Sequence, residues 1–392
     1  MFLPRNEGVY RHMQLNYKVK TSKKNKFYSA RFHYLHISVN FYYLLMPQTY
    51  IIGEIGQNHN GSVDIAKLIV DLVARPVKED VFGLQLRPMD AVKMTKRDLK
   101  EELTVSQMNR IYDSPNSFGK TYGEHRAALE LSDEEHFEVY KHAKSKGLDF
   151  IETLCAVGCL SMLKLFVPDR LKVASRDLTN LPLLEALAET RLPIILSTGM
   201  SGKEELDTAL NLITRYHDDI SILHCVSQYP TAPDNLNLLT IPYLKENYPG
   251  YRIGFSDHTI GISAPVVAVG MGAEIIEKHI TIDRHMKGTD QAGSLGPDGV
   301  NRMVRDIRVA EHWLGTKSLY IDPSVASSKE KLERSIASRR VIEEGEVICE
   351  GDIHMLSPGD GFKWHDRDSV IGKVAACRIP TDEIIYGDMI RE

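Results

Sequence analysis

From Met46 onward, short runs of apolar and β-branched residues alternate with longer stretches in which apolar residues recur every three or four positions. The short runs predict eight strands, at residues 50–54, 81–86, 149–153, 170–174, 193–197, 220–224, 252–256 and 274–279. The stretches between them, such as 133–146 and 203–216, have the spacing of amphipathic helices. This alternation predicts a parallel sheet, and eight strands favour a (β/α)8 TIM barrel. A doubly wound open sheet is the alternative, but no G-x-G-x-x-G motif follows the first strand.

The pattern changes after Trp313. Residues 314–330 have the composition of a linker, and residues 331–392 contain short strand-like pieces separated by turn signals. We therefore predict a barrel over 46–313, a linker over 314–330 and a small, mostly β domain over 331–392. The segment 87–131 is long for a connection, and extra length after a barrel strand usually builds the mouth of an active site.

Composition and charge exclude several classes of protein. The chain has 392 residues and a formal charge of −5, which argues against a dedicated nucleic-acid-binding protein. No apolar run is long enough to span a membrane. The five cysteines are odd in number and lack zinc-finger spacing, which favours free thiols in a reducing compartment. We therefore expect a cytoplasmic protein.

Residues 1–45 differ from the rest of the chain. They carry eight Lys or Arg and one acidic residue, a charge of +7, so the remainder carries −12. This segment could be a targeting peptide, an arm that binds nucleic acid or membrane, or an extension that is not native structure. We favour a non-catalytic extension, because periodic sequence begins directly after Met46 and no A-x-A-like cleavage site follows an apolar stretch. A chain that starts at Met46 is expected to keep full activity.

Polar or charged side chains occur at the ends of all eight predicted strands, where a barrel places its chemistry. In chain order they are Glu54; Gln85 and Arg87; Glu152 and Thr153; Lys172 and Ser175; Ser197; His224, Ser227 and Tyr229; Ser256, Asp257 and His258; and Glu277 and His279. Any one of them has an ordinary explanation, since polar residues commonly follow strands. Together they predict a polar basin that binds a charged, polyhydroxylated substrate.

Three groups within this set suggest particular chemistry. His258 and His279, with Glu54 opposite, have the ligand types that suit Mn²⁺, Fe²⁺ or Zn²⁺. A cation and hydroxyl groups suited to a phosphate or carboxylate come from Thr153, Lys172, Ser175, Ser197 and Ser256. Acids that could bind sugar hydroxyls or move protons are Asp257, Glu277 and Asp290.

The chain resembles the sialic acid synthase family over about residues 49–390. The resemblance is carried by EIGQNHNG, YGEHR, KVASRDLTNLPLL, LSTGM, LHCVSQYPTAP, GFSDHTIGI and IIEKHIT, and by an R-S-I…G-E-V-I…PGDG module near the C-terminus. It implies a TIM barrel followed by an antifreeze-like (SAF) domain, in a domain-swapped homodimer. The implied activity is that of a transferase, which condenses phosphoenolpyruvate with N-acetylmannosamine or a related N-acyl sugar and releases phosphate by C–O cleavage.

The resemblance also implies roles for individual residues. His258 and His279 correspond to metal ligands, with Mn²⁺ the usual ion and Mg²⁺ or Co²⁺ as alternatives. Glu54 corresponds to a catalytic glutamate beside the metal. The residues that correspond to the phosphoenolpyruvate site are Thr153, Lys172, Ser175, Ser197, Ser227, Tyr229 and Ser256. On the sugar side the resemblance implies Gln85 for binding, with Glu277 and Asp290 as catalytic acids.

Some positions depart from the family pattern. The second strand of the family reads K-F-Q, whereas the predicted strand here reads Gly83-Leu84-Gln85, so its lysine is missing, and Arg87 or Lys93 would have to compensate. Glu152 stands where the family has serine, which would add negative charge near an anionic substrate. Ser357 replaces an arginine that reaches the partner's sugar.

Two alternatives to a synthase follow from the residues. The missing lysine favours a non-catalytic relative that binds sugar or phosphate. A barrel lyase or aldolase would instead use Lys172 to form a Schiff base. The acceptor sugar itself stays open between N-acetylmannosamine, its 6-phosphate and diamino-dideoxy sugars.

Overall fold

The computed structural model describes residues 48–79 and 83–392, so the predictions about residues 1–45 lie outside it. The strands of the described chain, β1 to β14, are Tyr50–Gly56, Val77–Lys78, Gln85–Leu86, Ala91–Lys96, Asp149–Leu154, Arg170–Val173, Ile194–Ser197, Ile220–Cys225, Arg252–Asp257, Ile275–His279, Ser335–Ser338, Ile353–Leu356, Val374–Ala375 and Ile390–Arg391. The α-helices, α1 to α11, are Val63–Val73, Leu99–Glu102, Val105–Met108, Tyr122–Ala127, Asp133–Ser145, Leu181–Glu189, Lys203–Ile213, Thr240–Asn247, Ser263–Gly270, Pro297–Leu314 and Ala326–Leu332.

Eight parallel strands close into a barrel in the order β1-β10-β9-β8-β7-β6-β5-β4, with β4 pairing back to β1. The predicted TIM barrel is thereby confirmed. Seven of the eight predicted strands correspond to barrel strands within two residues at each end. The second prediction is wrong, because the barrel uses Ala91–Lys96 and not residues 81–86. Of the described residues 83–86, only Gln85–Leu86 forms a strand, and it pairs antiparallel with Val77–Lys78 outside the barrel.

The inside of the barrel has an apolar floor beneath a polar layer. The floor is a buried cluster of Ile52, Ala91, Ile151, Ile195, Leu223 and Ile275. Two residues further along the same strands come Glu54, Lys93, Thr153, Ser197, Cys225 and Glu277. Since side chains alternate between the two faces of a strand, the second set shares the interior face with the first. The polar site is therefore built directly on the apolar floor, on the side of the carboxyl ends.

The outer face of the sheet packs against the helices. Strand residues such as Val92 and Phe150 belong to one large buried cluster with helix residues such as Val139. The helix that supplies Val139 begins with a capping box, in which the Ser132 hydroxyl accepts from the N–H of Glu135 and the Glu135 carboxylate accepts from the N–H of Ser132. Local capping and core burial therefore agree on where this helix starts.

The chain divides into two compact units between Gly315 and Thr316. The C-terminal unit contains two antiparallel pairs, β11 with β12 and β13 with β14. Its core is a buried cluster of Ile336, Ile342, Ile348, Ile353, Val370, Ala375, Ile379 and Ile385. Over residues 48–79 and 83–392, the helices are all too short or too polar to cross a membrane.

Candidate active site

A cavity of about 390 Å³ opens at the carboxyl ends of the barrel strands. Twelve of the thirteen residues to which the family resemblance gives a role line it: Glu54, Thr153, Lys172, Ser175, Ser197, Ser227, Tyr229, Ser256, His258, Glu277, His279 and Asp290. We call this cavity the basin. The barrel thus brings together residues that are up to 236 positions apart, as the strand-end pattern predicts.

The exception is Gln85, which lies in β3 and not in a barrel strand. Its predicted position on the sugar side depended on residues 81–86 being the second barrel strand, which they are not. The true second barrel strand contains Lys93-Met94-Thr95, so a lysine does stand where the family reads K-F-Q. The lysine is therefore present, and the observation that favoured a non-catalytic relative no longer applies. Arg87 does not substitute for it, because it pairs with Asp90 at 3.2 Å, before the amino end of this strand.

Two lysines and two glutamates form a buried charge cluster on the floor of the basin. Lys93 Nζ lies 3.1 Å from a carboxylate oxygen of Glu54 and 3.3 Å from one of Glu277. Lys172 Nζ lies 3.9 Å from the other oxygen of Glu277. All four side chains are at most 6% exposed. Such a cluster is stable only while its charges balance, because a buried unpaired charge is costly.

The environment drives the two carboxyl groups apart in acidity. Burial, reinforced by repulsion from Glu277, raises the pKa of Glu54 despite the nearby Lys93. Burial also opposes ionisation of Glu277, but Lys172 and Lys93 outweigh it and lower the pKa of that carboxyl to about 2. Glu277 is therefore a fixed anion, whereas Glu54 is the group that can gain or lose a proton. Pairs of titratable groups whose pKa values are pushed apart are typical of acid–base sites.

The pKa values of the two lysines are also shifted in opposite directions. Attraction to Glu277 and Glu54 outweighs burial and raises the pKa of Lys93, so this ammonium stays charged. Burial dominates at Lys172 and lowers its pKa. The Lys172 ammonium donates to the Ser197 hydroxyl at 2.6 Å.

Hydroxyl groups surround the charge cluster. The Thr153 hydroxyl accepts from Lys93 at 3.4 Å, and the Ser256 hydroxyl donates to Glu277 at 3.0 Å. Gly199 allows two further serines to approach, because a Cβ there would lie 2.5 Å from Ser227 Oγ and 2.8 Å from Ser175 Oγ. This explains the glycine of the LSTGM motif, and it leaves a ring of hydroxyl donors beside two cations.

Two imidazoles lie at the rim of this cluster, with ring centroids of His258 and His279 5.6 Å apart. His258 Nδ1 donates to the carbonyl oxygen of Val226 at 2.8 Å, which leaves the Nε2 lone pair available. Burial, followed by repulsion from His279, lowers the pKa of His258 to about 3, so the ring is neutral. The buried Nδ1 of His279 has no hydrogen-bond partner within residues 48–79 and 83–392.

These imidazoles fit an open metal site. Gly56, at φ 52°, keeps Glu54 close to His279: a Cβ there would lie 3.1 Å from Glu54 Oε1 and 3.4 Å from His279 Cε1. No group of three or more His, Cys, Asp or Glu side chains that could hold a metal ion occurs in the described part of the chain. A divalent ion on the two imidazoles would therefore take water or substrate oxygens as its other ligands.

Comparison with known proteins identifies the family. The profile described as the NeuB family matches residues 87–319, and the SAF domain profile matches residues 333–391. The chain belongs to the NeuB family. The resemblance to sialic acid synthases, inferred above from the sequence motifs, is confirmed.

Individual relatives of this NeuB-family chain agree with that result. It is 31% identical over 343 residues to N-acetylneuraminate-9-phosphate synthase of Homo sapiens, covering 87% of this chain and 92% of that protein. It is 33% identical over 331 residues to N,N'-diacetyllegionaminic acid synthase of Legionella pneumophila, covering 82% and 89%. The crystal structure of N-acetylneuraminic acid synthetase from Leptospira borgpetersenii, in complex with citrate, has a TM-score of 0.60 and 31% identity, covering 72% of this chain and 90% of that one.

Two acidic residues singled out in the sequence face away from the basin of this NeuB-family barrel. Glu152 follows the inward-facing Ile151 and is fully buried against helix α5, where His136 Nδ1 donates to it at 2.7 Å. Asp257 follows Ser256 and accepts from Lys278 Nζ at 2.6 Å. The expectation that Glu152 adds charge near the substrate is wrong, and so is the assignment of Asp257 to sugar binding. The residues that precede them, Ile151 and Ser256, face the barrel interior instead.

The long segment after the second barrel strand supplies residues that the sequence analysis did not assign. Residues 97–126 contribute Arg97, Tyr112, Tyr122, His125 and Arg126 to the lining of the basin. The expectation that this segment builds the mouth is confirmed. The YGEHR motif was the available signal, but nothing in its spacing indicated which of its side chains face the basin.

Proposed function

We propose that this NeuB-family protein is a nonulosonic acid synthase that condenses phosphoenolpyruvate with an N-acyl amino sugar and releases phosphate. The observation that carries the proposal is the buried charge cluster of Lys93, Lys172, Glu54 and Glu277 at the carboxyl ends of the strands. Family membership and the names of the relatives support the reaction type.

The cluster is suited to bind a trianionic substrate such as phosphoenolpyruvate. With Glu54 protonated, two ammonium groups face one carboxylate, so the floor of the basin is net positive. The raised pKa of Glu54 makes this state accessible. Hydroxyls of Thr153, Ser197 and Ser256 surround the two cations, and the ring of donors completes a site for phosphate and carboxylate oxygens.

The proposed reaction forms one C–C bond. C3 of the enolpyruvate attacks the aldehyde carbon of the open sugar, and the aldehyde oxygen takes a proton. Positive charge develops at C2, and water adds there and loses a proton. The resulting tetrahedral intermediate loses phosphate by cleavage of its C2–O bond. Glu54, whose proton is exchangeable, is placed to transfer one of these protons, whereas ionised Glu277 stabilises the charge at C2.

His258 and His279 would hold a divalent metal, Mn²⁺ in our proposal. Such an ion supplies Lewis acidity at the sugar aldehyde when bound. The hydrogen bond from His258 Nδ1 to Val226 orients that ring for ligation. The Tyr229 ring packs against His258 at a centroid distance of 4.0 Å and limits its rotation.

A phosphate-release assay tests the proposal. Phosphoenolpyruvate is incubated with Mn²⁺ and a panel of N-acetylmannosamine, its 6-phosphate and diacetamido-dideoxy sugars, and the product mass is measured. We expect release only when both a sugar and a metal are present, and a product equal to the sugar plus pyruvate. Absence of release with every sugar would reject the proposal. A His279→Ala variant should lose turnover, and full turnover in it would reject the metal assignment.

A second reaction class is favoured by one observation, the lowered pKa of Lys172. A buried lysine that gives up its proton can attack a carbonyl carbon through its amine and form a Schiff base with loss of water, as in lyases and aldolases. Borohydride in the presence of pyruvate would then attach a stable adduct to Lys172. The synthase proposal predicts no such adduct, so peptide mass spectrometry separates the two.

A further inference from the structure

Helix α4, Tyr122–Ala127, carries the YGEHR motif, and the proposed function gives its residues no role. His125 of this helix is only 1% exposed, yet it lines the basin. Each ring nitrogen of a histidine either donates or accepts a hydrogen bond, so the partners of both nitrogens decide what a buried histidine can do at a substrate cavity.

One nitrogen of His125 is committed within the protein. Its Nδ1 accepts from the backbone N–H of Phe118 at 3.2 Å. Burial, followed by Arg126, lowers the pKa of His125 and outweighs the opposite effect of Asp290, so the ring is neutral. A neutral ring that accepts at Nδ1 carries its proton on Nε2.

The surrounding loop holds this arrangement firmly. A Cβ at Gly119 would lie 2.4 Å from Glu124 Cβ and 2.9 Å from the backbone nitrogen of His125, so the turn before the helix packs directly on its first residues. Thr121 and Glu124 close a capping box at the helix start. The Phe118 N–H is therefore a fixed donor, and the tautomer of His125 is built into the fold.

Ring packing fixes the direction of the imidazole. The Tyr112 ring lies 4.7 Å and the Phe118 ring 6.0 Å from His125, centroid to centroid. In the part of the chain that the structure describes, the hydrogen bond of the His125 ring is made at Nδ1, and the residue lines the basin. The charged groups that act on the ring are Arg126, Asp290 and Lys287, which places it beside Asp290 on the proposed sugar side of the basin.

We propose that His125 is a positioning residue for the acceptor, whose Nε2–H donates a hydrogen bond to an uncharged oxygen of the sugar, a hydroxyl or the N-acyl carbonyl. The inference rests on the proposed function and deepens it. A neutral donor suits such an oxygen because it selects for position and not for charge. Phosphoenolpyruvate is bound by the lysines, so His125 should affect only the second substrate.

Two substitutions separate this role from a purely structural one. His125→Asn keeps an acceptor near the Nδ1 position for the Phe118 N–H, but removes the donor toward the basin. His125→Gln places an amide N–H₂ near the Nε2 position, but loses the internal acceptor. The matched control is His285→Asn, since His285 lies outside the basin and its side chain is 94% exposed. Steady-state kinetics for both substrates and thermal melting are measured for each variant.

The sugar KM of the Asn variant should rise about tenfold, the range expected for one lost hydrogen bond, while that of the Gln variant stays within about threefold. The KM for phosphoenolpyruvate should stay constant in both, and the control should match the wild type. An unchanged sugar KM in the Asn variant would overturn this inference without affecting the proposed function. So would a lower melting temperature together with an equal change in the KM values of both substrates. A wild-type protein that turns over no sugar overturns the proposed function, and the inference with it.

Discussion

Replacement of Lys93 by methionine is the sharpest test of the buried charge cluster. Lys93 lies between Glu54 and Glu277, at 3.1 and 3.3 Å, and its side chain is 6% exposed. Methionine keeps the apolar stem but removes the charge, so two carboxyl groups face each other with only Lys172 nearby. Removal of one partner from a buried ion pair typically costs about 3–5 kcal/mol of folding free energy. We expect a loss of that size at pH 8.

The loss should depend on pH in a defined direction. Glu54 already has a raised pKa, and removal of Lys93 raises it further. A carboxyl group whose folded pKa lies above its unfolded value takes up a proton on folding. Its penalty is absent below the unfolded pKa near 4.5 and grows as the pH rises toward the folded pKa, by at most about 1.4 kcal/mol per pH unit. The part of the loss that comes from Glu54 should therefore be absent at pH 4.5 and largest at pH 8. The part that comes from Glu277, whose low pKa depends on Lys172 and Lys93, should remain at pH 4.5.

Urea unfolding of the wild type and the variant at pH 4.5, 6 and 8 measures this difference. The double variant Lys93→Met with Glu54→Gln lacks the Glu54 carboxylate, so it should recover the pH-dependent part of the lost stability at pH 8. Lys172→Met is the matched control: it is equally buried but 3.9 Å from Glu277, and its pKa is lowered, so its loss should be smaller. A Lys93→Met penalty that is constant with pH, or that Glu54→Gln does not relieve, would refute the reasoning.

Three further predictions follow from the structure. Burial lowers the pKa of His59 from 6.5 to about 3, so the free energy of unfolding should fall by about 5 kcal/mol as the pH falls between these values. His59→Asn should flatten the acid-unfolding curve, and an unchanged curve would contradict this. Gly199→Ala puts a methyl group against the hydroxyls of Ser175 and Ser227. The KM for phosphoenolpyruvate should therefore rise at least about tenfold, with little change in melting temperature, and unchanged kinetics would disprove the contact. Glu152→Gln changes the buried hydrogen bond to His136 outside the basin, so it should lower the free energy of unfolding by about 1–3 kcal/mol. Both KM values should stay unchanged, and altered KM values would show that Glu152 acts on the substrate site.

The comparison of sequence and structure shows where strand-end reasoning works. Twelve predicted residues meet in one basin because parallel strands deliver their carboxyl ends to the same rim. The prediction for Gln85 was wrong because two apolar runs in the sequence, at 81–86 and at Ala91–Lys96, both have the pattern of the second barrel strand. Only pairing with β1 and β5 selects the later run, and with it Lys93.

The sequence by itself determined the alternation of strands and helices, the C-terminal unit as a separate pattern, and the ring of polar residues at the strand ends. Tertiary structure decided which side of each strand those residues occupy. A barrel strand is buried on both faces, inside against the floor and outside against the helices, so its polarity pattern does not reveal the inward side. Thr153 therefore reaches Lys93 while Glu152 reaches His136. The pKa values of Glu54 and Glu277 likewise diverge only in the folded protein. There Lys93 lies within 4 Å of both carboxylates and Lys172 within 4 Å of Glu277, and all four side chains are buried.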